Sequence, residues 1–318
     1  MKVLANDGIS EAGKKKLEAA GIVVETKKVD QADLINAINT NNYECVLVRS
    51  ATTVRKEVID ACPGLKLIGR GGVGMDNIDV DYARSKGLKV FNTPASSSQS
   101  VAEMVIGQFF SIARGFYDAD RLMPGVGGAE FSALKKKHGK GTELRGKTLG
   151  IIGFGRIGRS TASYALGCGM NVIAADLVKS DEPVSVMVGG TEVKVKVPFV
   201  SMTELLTQSD CISIHVPKQN DGSAVIAEAE LASMKDGVLL VNAARGGVID
   251  EQALLAALAS GKVRAAALDV FENEPTPNPT LLKCDKLALS PHIGAATVEA
   301  QDRIGEELAD HIIGYSTQ

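Results

Sequence analysis

The sequence has no excess of charge of either sign. Lys and Arg number 35 against 38 Asp and Glu, a formal net charge of −3. Without a basic surplus there is no electrostatic footprint for a phosphate backbone, which excludes a general nucleic-acid binder. Cysteine is scarce. The five present (Cys45, Cys62, Cys168, Cys211 and Cys284) are odd in number, far apart and form no CxxC. Neither a disulfide framework nor a zinc site is indicated, so the expectation is reduced thiols and no metal. No apolar run approaches the roughly 20 residues of a membrane span, and MKVLANDGIS is not a basic segment leading into a long apolar core. The expected setting is cytoplasmic, with no membrane partner. Tryptophan is absent, aromatics make up 4%, and there is no low-complexity tract or short-period repeat.

Glycine is plentiful, at 33 of 318 residues. In a chain without repeats, that suits many βα turns rather than disorder. A composition of 45% hydrophobic and 23% charged residues is ordinary for a globular protein, and the length favours two domains, each with its own core. From residue 1 to about 95, the runs KVLA, IVVE, CVLV, LKLIG and LKVF read as strands. Helix-forming segments long enough for parallel crossovers separate them. A Pro/Ser-rich stretch, Asn92 to Glu103, follows, with Thr93–Ser98 read as a hinge. The segment VAEMVIGQFFSIARGFYDADRL reads as one long helix, too apolar to face water on all sides, so it belongs to the core or to a subunit interface. The next segment, PGVGGAEFSALKKKHGKGTEL, reads as a loop. From Thr148 the alternation restarts, with strands TLGII, NVIAAD, CISIHV, VLLVNAA, AAALD and KLALSP and a last helix over residues 298–313.

The strongest local signal is TLGIIGFGRIGR. An apolar strand ends in Gly153-Phe154-Gly155-Arg156-Ile157-Gly158 and a helix starts at once. Gly153 permits the tight turn, Gly155 lets the backbone approach a pyrophosphate, and Gly158 lets helix pack on strand. The N–H groups around Arg156 and Ile157 then face the anion. Asp176 ends the next strand 23 residues after Gly153, the expected distance for the acid that holds the adenosine ribose. Its charge would repel a 2′-phosphate, which favours NAD over NADP. Lys179 is the nearest cation.

A nicotinamide enzyme acting on a hydroxy acid needs a base titrating near neutrality, a cation for the substrate carboxylate and an acid to orient the base. VNAARGGVID supplies Arg245, LDVFENEP supplies Asp269, Glu272 and Glu274, and SPHIGA supplies His292. All three segments end strands, and in a doubly wound sheet ligands bind beyond the carboxyl ends of the strands. His215 in CISIHVP is a second candidate base, better placed as a wall of the cofactor site. Gly71, Gly72, Val73 and Gly74 can present N–H groups to a carboxylate as a small nest. Arg49, Arg55 and Lys135–Lys137 are available for a phosphate. Arg55 also has a structural reading as the residue that starts a surface helix.

At these residues the chain resembles the D-isomer-specific 2-hydroxyacid dehydrogenases, and among them the short form of the phosphoglycerate dehydrogenases, without a regulatory domain. The likeness runs through VRSATTVRKEVID (48–60), GRGGVGMDNIDV (69–80), FNTPASSSQSVAE (91–103), GTELRGKTLGIIGFGRIGR (141–159), VNAARGGVIDEQALL (241–255), ALDVFENEP (267–275) and SPHIGAATVEAQ (290–301). The resemblance implies an Arg/Glu/His triad at Arg245, Glu274 and His292. Asp269 is similar to the acid that contacts the nicotinamide carboxamide. Val73, Val216, Ala243 and Gly294 fall at positions that touch the dinucleotide, and His215, Pro217, Ala244 and Ala295 are expected beside them. Arg49, Ser50 and Arg55 are the expected substrate contacts, with Arg49 and Arg55 toward the phosphate.

The implied fold is α/β, with two doubly wound parallel-sheet domains. A Rossmann domain (98–288) is inserted into a flavodoxin-like substrate domain (1–97 with 289–318), hinges lie near Thr93–Ser98 and Ser290, and a cleft closes between the domains. The implied activity is NAD-dependent oxidation of 3-phosphoglycerate, the first step of serine biosynthesis, by a homodimer joined through the helix after the hinge. Glyoxylate/hydroxypyruvate reductases and D-lactate dehydrogenases share the catalytic residues, and an NAD-sensing corepressor shares the fold. One departure from the pattern is the segment 124–141, which lacks the family's Trp and is longer.

Overall fold

The computed structural model describes residues 1–317. Gln318, the last residue of the expected 289–318 segment, lies outside the described residues. The chain forms two compact units, Met1–Ser100 with residues 295–317, and Val101–Gly294. The loop that carries His292 belongs to the second.

The first unit runs β1 (Lys2–Ala5), α1 (Glu11–Ala19), β2 (Val23–Glu25), α2 (Leu34–Asn41), β3 (Cys45–Val48), α3 (Lys56–Ala61), β4 (Leu67–Arg70), α4 (Val80–Ser85) and β5 (Lys89–Asn92). The strands pair in the order β2-β1-β3-β4-β5, all parallel, which is the flavodoxin-like order. Apolar side chains cover both faces. Leu4, Val46, Val48 and Ile68 share a core with Leu34 and Ile38 of α2, while Val3, Leu47 and Leu67 share another with Leu17 of α1. This is why β3 reads CVLV rather than alternating with polar residues.

The second unit opens with α5 (Ser98–Arg114) and α6 (Phe116–His138). Then come β6 (Thr148–Ile152), α7 (Arg156–Gly167), β7 (Asn171–Ala175), β8 (Val184–Val188), β9 (Thr191–Val195), α8 (Met202–Gln208) and β10 (Cys211–Ile214). It closes with α9 (Glu228–Ser233), β11 (Val238–Asn242), α10 (Glu251–Ser260), β12 (Val263–Leu268), α11 (Pro279–Leu282) and β13 (Leu287–Leu289). Six strands pair in parallel in the order β13-β12-β11-β10-β6-β7. One face packs Leu149, Ile151 and Val241 against Phe109 of α5 and Ala162 of α7, and the other packs Ile152, Ile212 and Leu240 against Leu205 of α8 and Leu254 of α10. Both sheets are doubly wound, as the pattern of short apolar runs predicts. The chain returns to the first unit with α12 (Val298–Ser316), whose Ile304, Leu308 and Ile312 join the core of α1. No helix among the described residues is long and apolar enough to cross a membrane.

Three local features differ from the sequence reading. The long helix over 101–122 breaks at Gly115, which sits at φ +68°. The segment read as a loop from Pro124 is helical to His138, despite Pro124 inside the helix. Asp118 pairs with Lys137 at 2.6 Å and His138 at 3.4 Å. A straight helix would hold Asp118 and Lys137 roughly 28 Å apart at 1.5 Å per residue, so the segment folds back, and Glu130 carries the non-helical backbone (φ −114°, ψ 19°) that allows it. Contacts of the buried Asp118 with Lys137 and His138 accompany helix through PGVGG, whose residues alone favour a loop. Third, VSVMVGGTEVKV forms a β8–β9 hairpin about Gly189-Gly190. Its alternation and Gly-Gly turn are a hairpin signal that the βα pattern obscured.

α1 and α12 meet where Gly13 faces Gly305. A Cβ on Gly13 would stand 2.5 Å from the Gly305 carbonyl carbon and oxygen. Alanine gains at most about 1 kcal/mol of helix propensity, while forcing a methyl into a packed backbone contact costs about 1–3 kcal/mol. Gly13→Ala is therefore expected to destabilise by about 1–2 kcal/mol, seen as a lower urea midpoint at unchanged m. A stabilised variant would show that the two helices are free to separate.

Candidate active site

Because every strand of the six-stranded sheet is parallel, every strand delivers its C-terminal end to the same edge. That edge receives Gly153 after β6, Asp176 after β7, His215 after β10, Ala243 after β11, Asp269 after β12 and His292 three residues after β13. Strand order reverses at β6, so the glycine turn stands at the switch point where such sheets bind ligands.

Each glycine of the turn has a distinct steric reason. Gly153 sits at φ +90°, and a Cβ there would lie 2.7 Å from the His215 carbonyl oxygen. Gly158 packs α7 on β6, with a Cβ position 2.2 Å from the Gly153 oxygen. Gly155 meets nothing within 4 Å, and no side chain caps α7. Its backbone thus borders open space beside the N–H groups of Arg156 and Ile157, a cradle that fits a pyrophosphate. Asp176 accepts from the Phe154 N–H at 2.5 Å and the Val178 N–H at 2.9 Å, one on each carboxylate oxygen. Each oxygen retains acceptor capacity for a ribose hydroxyl. These residues fit NAD.

Val216 and Pro217 continue the turn after His215. The His215 N–H donates to the Ile152 carbonyl at 2.7 Å, and its Nε2 lies 2.7 Å from Ser213 Oγ. Desolvation lowers the His215 pKa to about 3. A ring that stays neutral at physiological pH is unsuited to carrying a proton as imidazolium, so its place is in the wall.

Arg245 stands on a turn held by a residue the sequence reading did not single out. Asn242, buried at the end of β11, donates to the Arg245 carbonyl and accepts from the Ala244 N–H, both at 3.0 Å. A polar residue ending VLLVN, where burial demands partners, was the available signal. Arg245 Nη1 donates to the Ala244 carbonyl at 2.6 Å. Behind it, a Cβ on Gly246 would lie 1.7 Å from the Phe271 oxygen, so only glycine lets this turn lie on the one leading to Glu274. Glu274 accepts from the Phe271 N–H at 3.0 Å, and its other oxygen is 2.7 Å from His292 Nδ1.

His292 adopts φ +54°, one of two non-glycine residues with positive φ among the described residues. The strain, about 1–2 kcal/mol for such a residue, needs an external hold. Asp269 supplies it. Buried after β12, it accepts from Ser290 Oγ at 2.6 Å, the Ile293 N–H at 2.9 Å and the Gly294 N–H at 2.8 Å. Asp269 therefore braces the His292 loop from both sides of the histidine.

In the five-stranded unit, Arg49 and Arg70 end the neighbouring parallel strands β3 and β4. Arg70 was not singled out from the sequence, although an arginine opening a Gly-Gly turn is the same signal used for Arg245. Gly72, at φ +145°, makes room for it, since a Cβ there would lie 1.6 Å from Arg70 Nη1. The expected N–H nest at Gly71 and Gly72 does not form as such. The Gly71 N–H donates across to the Val48 carbonyl of β3 at 2.9 Å and the Gly72 N–H to the Arg70 carbonyl at 3.0 Å, leaving Val73 beyond them. Arg55 is committed to Asp79 at 3.0 Å and to the Asp76 carbonyl at 2.9 Å, which matches its structural reading rather than a phosphate contact. Ser50 is exposed. Asp7, also missed, organises the 49–52 loop by accepting from the Arg49 and Thr52 N–H groups at 2.6 and 3.0 Å. Burial opposes its ionisation, but hydrogen bonds from Lys28, Thr52 and Arg49 outweigh that and hold its carboxyl below the usual value. Ala295 begins the return to this unit and accepts from Gln301 Nε2 at 2.7 Å.

Two outcomes follow from this geometry. Gly155→Ala should leave the melting temperature nearly unchanged yet weaken NADH binding, by roughly tenfold for about 1.4 kcal/mol of lost contact. Gly158→Ala should instead destabilise the fold by about 1–3 kcal/mol. Calorimetry and fluorescence titration separate the two, and equal effects on stability would contradict the open space at Gly155. His215 predicts an acid limb. Its folded pKa lies below that of the unfolded chain, so its contribution is intact above pH ~6.5 and is lost toward pH 3, at up to about 1.4 kcal/mol per pH unit. His215→Gln should flatten that limb in urea titrations, and an unchanged slope would assign it to the carboxylates.

Comparison with known proteins accords with this architecture. The family model described as "D-isomer specific 2-hydroxyacid dehydrogenase, NAD binding domain" matches residues 106–294. The chain is 41% identical to a D-3-phosphoglycerate dehydrogenase of Archaeoglobus fulgidus, over 99% of this chain and 57% of the relative, so it spans little more than half of that protein. It is also 41% identical to a hydroxypyruvate reductase of Thermotoga maritima, over 98% of this chain and 97% of that one. Among solved structures, a glyoxylate reductase from Paecilomyes thermophila superposes with a TM-score of 0.79 at 32% identity, covering 98% of this chain and 93% of the other. The chain belongs to the D-isomer-specific 2-hydroxyacid dehydrogenase family.

Proposed function

We propose that the chain is an NAD-dependent dehydrogenase that oxidises 3-phosphoglycerate to 3-phosphohydroxypyruvate, the first step of serine biosynthesis. The observation that carries the reaction class is the pair of His292 Nδ1 and Glu274 at 2.7 Å, on the sheet edge that also bears Arg245 and the glycine turn. Support for a phosphorylated substrate comes from Arg49 and Arg70 at the ends of adjacent strands, two cations that an unphosphorylated acid does not need. In this reading Val101–Gly294 is the cofactor domain, and the five-stranded unit holds the substrate.

Bound NAD supplies the hydride acceptor. Glu274 accepts the Nδ1 proton of His292 and so leaves Nε2 bare. Nε2 takes the C2 hydroxyl proton as the C2 hydrogen departs as hydride, and the carboxylate of Glu274 stabilises the resulting imidazolium. Arg245 grips the substrate carboxylate through its planar fork. In reduction, His292 returns the proton.

A homodimer fits the exposed apolar side chains Phe110, Phe116, Met123 and Phe131 of α5 and α6, which a second copy would cover. The free cysteines, three of them buried, suit a reducing, cytoplasmic compartment. The rival readings are a hydroxypyruvate or glyoxylate reductase and a D-lactate dehydrogenase, which need the same catalytic groups.

A substrate panel decides between them. The purified chain is assayed with NAD and NADP on 3-phosphoglycerate, and with NADH on hydroxypyruvate, glyoxylate and pyruvate. The expected outcome is the highest kcat/KM for 3-phosphoglycerate with NAD. His292→Asn, which tolerates the left-handed backbone, should lower kcat by about 100-fold or more while NADH affinity stays near normal. Preference for glyoxylate or hydroxypyruvate would make the chain a reductase, and retained turnover in the variant would move the proton transfer off His292.

A further inference from the structure

A cavity lies at the other end of the same sheet, where β12 and β13 begin rather than end. This open cavity holds about 250 Å³, the liquid volume of roughly eight waters, between the α5–α6 junction and the starts of those strands. Six basic side chains line it (Arg114, Lys137, His138, Lys140, Arg264 and Lys286) against two acids, Asp118 and Asp285. Asp118 is occupied by Lys137 and His138. Among the described residues, Arg114, Lys140, Arg264 and Lys286 pair with no carboxylate.

Two of these cations are half-buried, and their hydrogen-bond partners are backbone carbonyls. Arg264 Nη2 donates to Ala113 at 2.7 Å, and Lys286 Nζ donates to the Leu258 carbonyl. Partial desolvation of two cations without a counter-ion is unfavourable, and an entering anion offsets it. The wall is shaped around its basic groups. A Cβ on Gly141 would lie 2.8 Å from Arg114 Nε, and one on Gly115 would lie 3.0 Å from His138 Nδ1. Tyr117 adds a phenol whose pKa burial raises to about 12, with Asp118 adding to the effect, so it stays a hydrogen-bond donor. The glycine turn and His292 lie at the opposite strand ends, so the mechanism uses none of these residues.

We infer that this cavity is a binding site for a small phosphate-bearing anion, separate from the dinucleotide and substrate sites. Two guanidinium groups match phosphate oxygens bidentately, and lysines at the floor and rim supply the remaining charge. The volume admits pyrophosphate or a short organic phosphate.

The test uses the full chain saturated with NADH, so that the dinucleotide site is filled. Pyrophosphate, and glycerol 3-phosphate as the organic source, are titrated calorimetrically at constant ionic strength. Wild type is expected to bind at least one of them with a Kd below about 1 mM. Arg264→Gln with Lys286→Gln should weaken that binding tenfold or more with NADH affinity unchanged, while Arg245→Gln should leave it intact. Should the Arg264→Gln/Lys286→Gln variant fail to fold cooperatively, Arg114→Gln with Lys140→Gln at the exposed rim carries the same expectation. The inference is overturned by absence of binding, by equal affinity in the cavity variants, by loss on Arg245→Gln instead, or by full competition from potassium chloride at matched ionic strength.

Discussion

The catalytic edge depends on one buried carboxylate. Asp269 is buried at the end of β12 and takes three hydrogen bonds from the 290–294 loop. Hydrogen bonds to a charged group contribute about 1.5–3 kcal/mol each, so three of them exceed the 1–2 kcal/mol of left-handed strain at His292. The strained backbone is therefore held rather than merely tolerated. Glu274 then fixes the ring of a histidine whose backbone is already set. One acid orients the main chain and the other the side chain, and the two tasks are not interchangeable.

The same division between backbone and side-chain control recurs around the edge. Asn242 fixes the main chain of the Arg245 turn, Gly246 lets that turn lie on residues 271–272, and the guanidinium projects from a frame already closed. In the other sheet Asp7 fixes residues 49–52, and Arg49 follows from that loop. The turns that carry Arg49 and Arg245 are both held by side-chain hydrogen bonds to their backbone. Each cation thus takes its position from a fixed main chain.

Much of this was legible in the sequence, for identifiable reasons. Parallel strands buried on both faces must be apolar runs, and glycines at fixed offsets mark the switch point, so CVLV, TLGII and GFGRIG announce their roles. Arg245, Glu274 and His292 could be read as candidates because each follows a strand and has a side chain suited to acid–base or carboxylate chemistry. Residues that act only through hydrogen bonds to distant backbone were invisible as such. Asp7 meets residues 42 and 45 positions away, and nothing local to KVLAND encodes that. Asp269 was legible as an acid at a strand end, but its partners lie 21 to 25 residues on. The α6 fold-back was hidden for the opposite reason. Its local signals, Pro124 and the glycines, point to a loop, and the Asp118 pairs that accompany the fold-back span the whole segment.

The β8–β9 hairpin shows how the cofactor helix is supported where the usual crossover is missing. A parallel sheet ordinarily reaches its next strand through a helix, yet here a hairpin fills that position and packs Val184 and Val186 with Ala162 and Ala165 of α7. The strand that would follow β7 is reduced to a single parallel bridge, Ala174 with Phe199. Arg159 of α7 donates to the carbonyls of Glu182 and Pro183 and ties the hairpin's entry to the helix. Phe199 in turn meets Phe154 edge-on at 5.3 Å, inside the glycine turn itself. The residue that reads as an unspecified spacer between Gly153 and Gly155 is thus the anchor joining the turn to the substituted crossover. Its N–H also sets Asp176, so one spacer residue links the pyrophosphate cradle, the ribose acid and the hairpin that replaces a helix.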